Sequence, residues 1–148
     1  MEYRLTKKTD ISHLFTLWNE AGLPIALDGV ERETNECEMM LDMNPTSCFV
    51  CVENGIILGS IFGTFNGRRA WIYHLAVHPD HQRKGIGGKL YDLAEAALKK
   101  RGATKIIVGV LKQNTCVPFY HDRGFELMDD AYLYAKDLGH LKNKHQYA

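Results

Sequence analysis

Several features are scarce in this chain, and each scarcity removes a class of function. Surplus charge is absent: 18 Lys and Arg balance 18 Asp and Glu, so no overall field draws nucleic acid or an anionic membrane. No apolar run approaches the ~18–20 residues that a spanning helix needs. The opening Met-Glu-Tyr-Arg-Leu lacks the apolar segment of a signal peptide. A cytoplasmic protein that partners neither membrane nor nucleic acid is therefore expected. Cysteine is limited to Cys37, Cys48, Cys51 and Cys116. Cys48-Phe-Val-Cys51 does spell C-x-x-C, but it lies in a run that reads as a strand, where positions three apart point to opposite faces. No second pair completes four ligands, so no metal is expected. The thiols read as small apolar fillers in a reducing compartment.

Both common nucleotide motifs are missing as well. No Gly-Lys-Ser/Thr closes a P-loop, and after Gly85 and Gly87 the third glycine of a dinucleotide fingerprint would fall on Leu90. What is present is a strand, a glycine-containing loop and a helix in succession. Trp71-Ile-Tyr-His-Leu-Ala-Val77 is β-branched and aromatic, and Pro79-Asp80 marks a turn. Gln82-Arg-Lys-Gly-Ile-Gly-Gly88 follows, and Leu90, Leu93, Ala94, Ala97 and Leu98 then recur at helical spacing. The first turn of a helix leaves amides unpaired at the positive end of its dipole. Glycines let an anion reach those amides, and Arg83 and Lys84 add cationic donors. A diphosphate ligand is the natural expectation.

The rest of the chain reads as one domain, 1–148. A short strand at 3–5 leads through Thr9-Asp10, an N-cap signal, to a helix over 11–21. A loop spans 24–29, and a second helix is expected over 31–43. Strands at 47–53, 56–65 and 69–77 are separated by Asn54-Gly55 and Asn66-Gly67, strong hairpin signals. After the long helix, Gly102 supplies its C-cap, 105–111 reads as an apolar strand and 114–123 as a short helix ending at Gly124. A last hairpin is expected from 125–128 and 131–136, and 139–148 is a polar, loose tail.

Gln82-x-x-Gly85-x-Gly87, after Leu-Ala-Val-x-Pro, resembles the acetyl-CoA-binding motif of the GCN5-related N-acetyltransferase (GNAT) family, Gln/Arg-x-x-Gly-x-Gly/Ala at a strand-to-helix junction. Asn114-x-x-x-x-Phe119-Tyr120-x-x-x-Gly124-Phe125 is similar to a second stretch of that family. The resemblance covers residues 3–137 and implies an α+β fold with a mixed, mostly antiparallel sheet, flanking helices and one parallel strand pair that splays apart. It implies that the backbone of Leu75, Ala76 and Val77 pairs with the pantetheine arm, that Gln82 belongs to the cofactor site, and that the amides of Arg83, Lys84, Gly85, Ile86, Gly87 and Gly88 hold the pyrophosphate. Asn114 would contact the CoA arm, a role compatible with capping its helix, and Tyr120 would protonate the departing thiolate.

The implied activity is direct transfer of acetyl from acetyl-CoA, used as cosubstrate, to an amine of a small molecule or peptide. The family's strand Glu or His has no counterpart at Trp71 or Tyr73, so the base stays open between Tyr73, Glu53 and a water chain. Strand parity turns His74 away from the face of 71, 73 and 75 unless a bulge intervenes, and it reads as a packed histidine. Gly109 stands where acyltransferases of protein N-termini often carry Glu, which weakens that reading. Asp28, Glu31 and Glu33 lie where the family forms part of its acceptor pocket, but a helix start favours acids anyway. Small amine, antibiotic, polyamine, amino acid and protein amine all stay open as acceptors, as do acyl groups longer than acetyl and a homodimer. Two other readings stand beside this one: a CoA-binding module without turnover, and a phosphate-binding domain unrelated to CoA.

Overall fold

The computed structural model describes residues 1–23, 35–112, 114, 116–136 and 138. The expected acceptor-pocket acids, the start of the second helix and the tail lie outside them. The chain divides into two compact units, Met1–Val108 and Gly109–Ala148.

The first unit is built on a five-stranded sheet: β1 (Glu2–Leu5), β2 (Cys48–Glu53), β3 (Ile56–Phe65), β4 (Ala70–Val77) and β5 (Ile106–Val108), in that spatial order. Neighbours are antiparallel except β4 and β5, which are parallel. The mixed sheet expected from the sequence is therefore present. The Asn54-Gly55 turn joins β2 to β3 with positive φ at both residues (51° and 76°), which is why that dipeptide signals a hairpin so strongly. The Asn66-Gly67 connection is longer: the Asn66 side-chain oxygen accepts from the amides of Arg68 (2.8 Å) and Arg69 (2.9 Å), so β4 begins at Ala70.

Helices α1 (Ile11–Glu20) and α2 (Glu36–Met43) share one apolar cluster with β2, β3 and β4, in which Leu14, Trp18, Cys37, Val50 and Phe62 are fully enclosed. Among the described residues α2 starts only at Glu36, because Asn35 before it takes a left-handed conformation (φ 54°). The Asp10 carboxylate does not cap α1. It binds the Arg4 guanidinium at 2.8 and 2.9 Å and the Lys7 amide at 2.8 Å, closing a 3-10 turn over Lys8–Asp10.

The opposite sheet face carries α3 (Ile86–Lys100), seated over two glycines of β3. A Cβ at Gly63 would lie 2.7 Å from the Ser47 carbonyl and 3.2 Å from Leu98, and one at Gly59 would meet Leu90 at 2.9 Å. At its far end, Gly102 and Ala103 donate to the carbonyls of Lys99 and Leu98, the Schellman pattern expected of a glycine there. Arg101 then ties the helix end to Asn44 and Ser47, both at 2.8 Å.

Strand β5 is shorter than the expected 105–111. It pairs only Ile106–Val108 with Ala70, Trp71 and Ile72, and beyond that point β4 enters an irregularity at His74. Cys48 and Cys51 are buried free thiols on β2, and burial pushes the Cys48 thiol up to about 12. No described helix is long and apolar enough to cross a membrane.

The second unit contains α4 (Val117–Asp122), with Pro118 in its first turn. Gly124 and Phe125 donate to the carbonyls of His121 and Tyr120, ending the helix where the sequence indicates. The expected hairpin at 125–128 and 131–136 is not formed. Asp129-Asp130 makes a turn, but its flanks are irregular and leave Leu127, Tyr132 and Tyr134 exposed.

Candidate active site

The loop between β4 and α3 has the form the sequence indicates. His78 caps a 3-10 turn over Pro79–His81, its Nδ1 accepting from the Asp80 amide at 3.2 Å while Nε2 meets Glu20 at 3.1 Å. The Gln82 side-chain amide donates to the Val77 carbonyl at 3.2 Å, tying the loop back to the end of β4. Arg83 and Gly85 then take left-handed conformations (φ 63° and 82°), and Gly85 is the residue from which α3 starts. The first backbone bond of that helix is Lys89 N–H to Gly85 O at 3.0 Å. The amides of Ile86, Gly87 and Gly88 thus precede the helical ladder, at its positive end. Gln82, Arg83, Lys84 and Gly85 are exposed, and Lys84 Nζ lies 3.3 Å from His81 Nδ1. These groups together can take an anion with several oxygens.

Strand β4 presents an edge beside this loop. On one side it pairs with β3 through Ala76 and Val77. On the other, pairing with β5 ends at Ile72, so among the described residues Leu75, Ala76 and Val77 have no ladder partner there. The Val77 carbonyl accepts from Gln82, and a backbone group left unpaired beside it calls for another partner.

The β3–β4 register slips once. Phe62 faces Tyr73 and Ser60 faces Ala76, so Ile61 alone opposes His74 and Leu75. This is a β-bulge, and at His74 the backbone is left-handed (φ 54°), a conformation costing an L-residue about 1–2 kcal/mol. The bulge corrects the parity expectation: His74 shares the α1 face with Tyr73, its ring 4.4 Å from Trp18 and 5.0 Å from Phe62. It is nevertheless a packed histidine, 6% exposed, with no hydrogen-bond partner for Nδ1 among the described residues. Burial pulls its pKa down to about 3, so the ring is neutral. Its carbonyl accepts from the Ser60 hydroxyl at 2.7 Å, and that hydroxyl accepts from the Trp18 indole at 2.9 Å. Neither residue was singled out by sequence reasoning, although a serine inside the apolar run 56–65 is a usable signal.

The base candidates are placed apart. Tyr73 is half-buried and stacked on Trp71 with ring centres 6.3 Å apart, and burial raises its pKa. Glu53 pairs with Ile56 while Tyr73 pairs with Phe62, which separates them by roughly 20 Å along β3.

In the second unit, Tyr120 is buried between Phe119 (5.2 Å) and Phe125 (5.4 Å). Burial, and secondarily Cys116, push its pKa above the ordinary tyrosine value, so the phenol keeps its proton at neutral pH. Asn114 does not cap α4, whose N-cap is Cys116. Its side-chain oxygen accepts from the Cys116 amide at 2.9 Å and from the Cys116 thiol. Burial raises the Cys116 thiol, which holds it in its un-ionised form.

With this geometry in view, the likeness to known proteins is informative. An acetyltransferase of Sodalis glossinidius is 32% identical over 139 residues, 93% of this chain and 96% of that one. Another from Pectobacterium atrosepticum is 32% identical over 130 residues, 87% and 90% of the two chains. Among solved structures, the aminoglycoside N-acetyltransferase AAC(6')-Iy in complex with CoA shares the fold, with a TM-score of 0.65 at 18% identity over 93% of this chain and 100% of that one. The same enzyme with the bisubstrate analogue CoA-S-monomethyl-acetylneamine gives a TM-score of 0.70 at 17% identity, over 93% and 98%. Residues 11–125, which include the glycine loop, the β4 edge and Tyr120, match the acetyltransferase (GNAT) family, and this chain belongs to it.

Proposed function

We propose that this acetyltransferase takes its acetyl group from acetyl-CoA and passes it directly to a primary amine. The observation that carries the reading is the pairing of two features in one unit: open first-turn amides at Ile86–Gly88, and a β4 edge at Leu75–Val77 that β5 leaves uncovered. The amides suit a pyrophosphate, and the edge suits the amide-bearing pantetheine arm. Gln82, Arg83, Lys84 and Gly85 shape and charge the loop, and Asn114 contacts the arm.

In the reaction, the amine nitrogen forms a bond to the thioester carbonyl carbon, and the carbon–sulfur bond breaks. Tyr120, protonated through neutral pH, gives its proton to the departing thiolate. The acceptor's own proton leaves by way of water or is relayed by the Tyr73 hydroxyl, Glu53 being roughly 20 Å from Tyr73 along β3. His74 is unsuited to that task, because burial makes its imidazole a weak base and its ring is packed against Trp18. Crystallised relatives that act on aminoglycosides favour a small cationic amine as acceptor.

Thermal stability with acetyl-CoA, CoA, ATP and NAD in parallel tests the donor, because a site ligand raises the melting point by mass action. A shift with the CoA forms alone supports the reading, and none at millimolar CoA sinks it. The second reading, a CoA-binding module without turnover, is favoured by the absence of a carboxylate from β4, whose site face carries Trp71 and Tyr73. Release of free thiol in the presence of an amine panel separates the two.

A further inference from the structure

The bulge of β4 sits immediately before the edge assigned to the CoA arm, and it is held by side chains of two other elements. In a regular ladder, the alternation that turns the Ala70 amide to the Lys105 carbonyl would turn the carbonyl of His74 to the β5 side. Here that carbonyl takes the Ser60 hydroxyl at 2.7 Å. The Trp18 indole can only donate, so the Ser60 oxygen accepts from it at 2.9 Å and has its own proton left for the carbonyl. The direction of the chain, indole to hydroxyl to carbonyl, is thereby fixed. Both side chains are fully enclosed, and the His74 ring is clamped against Trp18 and Phe62. A left-handed residue without a glycine persists only where its surroundings determine it.

We propose that Ser60 and Trp18 are positioning residues for the donor: they fix the His74 bulge, and through it the orientation of the Leu75–Val77 backbone that receives the CoA arm. This rests on the acetyl-CoA reading above and adds residues that never touch the ligand. The same network links α1 to the site, so that α1 and the donor-binding edge share one buried support.

The matched comparison is Ser60→Ala against Ser47→Ala. Ser47 is equally buried and its hydroxyl also donates to a strand carbonyl, that of Gly63 at 2.6 Å, but it lies away from the bulge. Calorimetric titration with CoA, well below each melting point, should show Ser60→Ala weakened by at least about tenfold, the size expected when a buried polar group loses its partner. Ser47→Ala should bind within about twofold of the wild type despite its own loss of stability. Amide hydrogen exchange without ligand should be faster at Leu75–Val77 in Ser60→Ala and unchanged there in Ser47→Ala. Equal CoA affinity of Ser60→Ala and wild type overturns the inference, as does equal weakening by both variants. If Ser60→Ala does not fold, Ser60→Cys, of similar volume and weaker as a donor, carries the same comparison. A wild-type chain that binds no CoA overturns the donor reading instead, and the exchange experiment still decides whether Ser60 holds this edge.

Discussion

The imidazole of His74 lies 4.4 Å from the indole of Trp18, ring centre to ring centre, in the interior of the sheet face that α1 covers. The ring has to stay neutral there, which makes fold stability depend on pH. Burial lowers its native pKa to about 3, against about 6.5 in an unfolded chain. Between those values the unfolded state holds a proton that the native state does not, so stability rises with pH. The contribution is fully present above about pH 6.5 and falls by up to ~1.4 kcal/mol per pH unit as the solution is acidified. Urea unfolding from pH 7 to 4.5 should show that slope in the wild type and a flatter one in His74→Phe. Parallel slopes would mean that the histidine is accessible to protons in the native state.

Gly63 and Gly59 both lie beneath α3, yet they should respond differently to a methyl group. At Gly63 the nearest atom to a new Cβ is the Ser47 carbonyl oxygen at 2.7 Å, a backbone atom that cannot turn aside. At Gly59 the nearest atom is the Leu90 Cδ1 at 2.9 Å, a side-chain end that can shift, with the Ile86 Cγ2 methyl at 3.0 Å and the Ala76 carbonyl oxygen at 3.3 Å. Gly63→Ala should lose about 1–3 kcal/mol as an overpacked site does, and Gly59→Ala less. Denaturant midpoints rank the two, and the reverse order would contradict this account of how the helix is seated.

The parts of this fold legible in the sequence are those set by residue type at a single position. Asn54-Gly55 announced its hairpin because both residues must have positive φ, and Gly85, Gly102 and Gly124 marked the ends of helices for the same reason. The break between strand and helix at Gln82–Gly88 was legible too, since Gly85 takes the left-handed conformation from which α3 starts. The bulge at His74 was not. Ala70–Val77 is apolar on both faces, so no alternation exists from which a one-residue slip can be read. The hairpin expected at 125–136 failed in the other direction. Its residues suit strands by type, but type alone does not fix the pairing of two short runs. The Ser60 network depends on contacts spanning 42 positions of sequence, for which local reading has no signal.

Gly87→Glu tests the anion site directly. A carboxylate in the first turn of α3 favours the helix through its dipole, so the fold should be retained. The same carboxylate occupies the amides and repels a pyrophosphate. CoA affinity should fall by at least about a hundredfold, the scale of one or two lost charge-assisted contacts, with the melting point of the free protein little changed. Unaltered affinity would place the pyrophosphate elsewhere.

Tyr120→Phe separates binding from chemistry. The phenol is buried between two phenylalanine rings, so Phe fits the same space and the unit should keep its packing. What disappears is one proton, held more tightly than in an ordinary tyrosine because burial disfavours the phenolate. A donor to the departing thiolate that is lost outright should lower kcat by about a hundredfold or more, while affinity for CoA changes little. In the wild type the raised pKa means that this proton stays in place as pH increases, so no decline in kcat should trace to the phenol below its ordinary value of about 10. Steady-state rates of thiol release for the two proteins, across pH 6 to 10, read both expectations at once. Equal kcat values would remove Tyr120 from the chemistry and leave it as packing, in which case the thiolate departs with a proton from water.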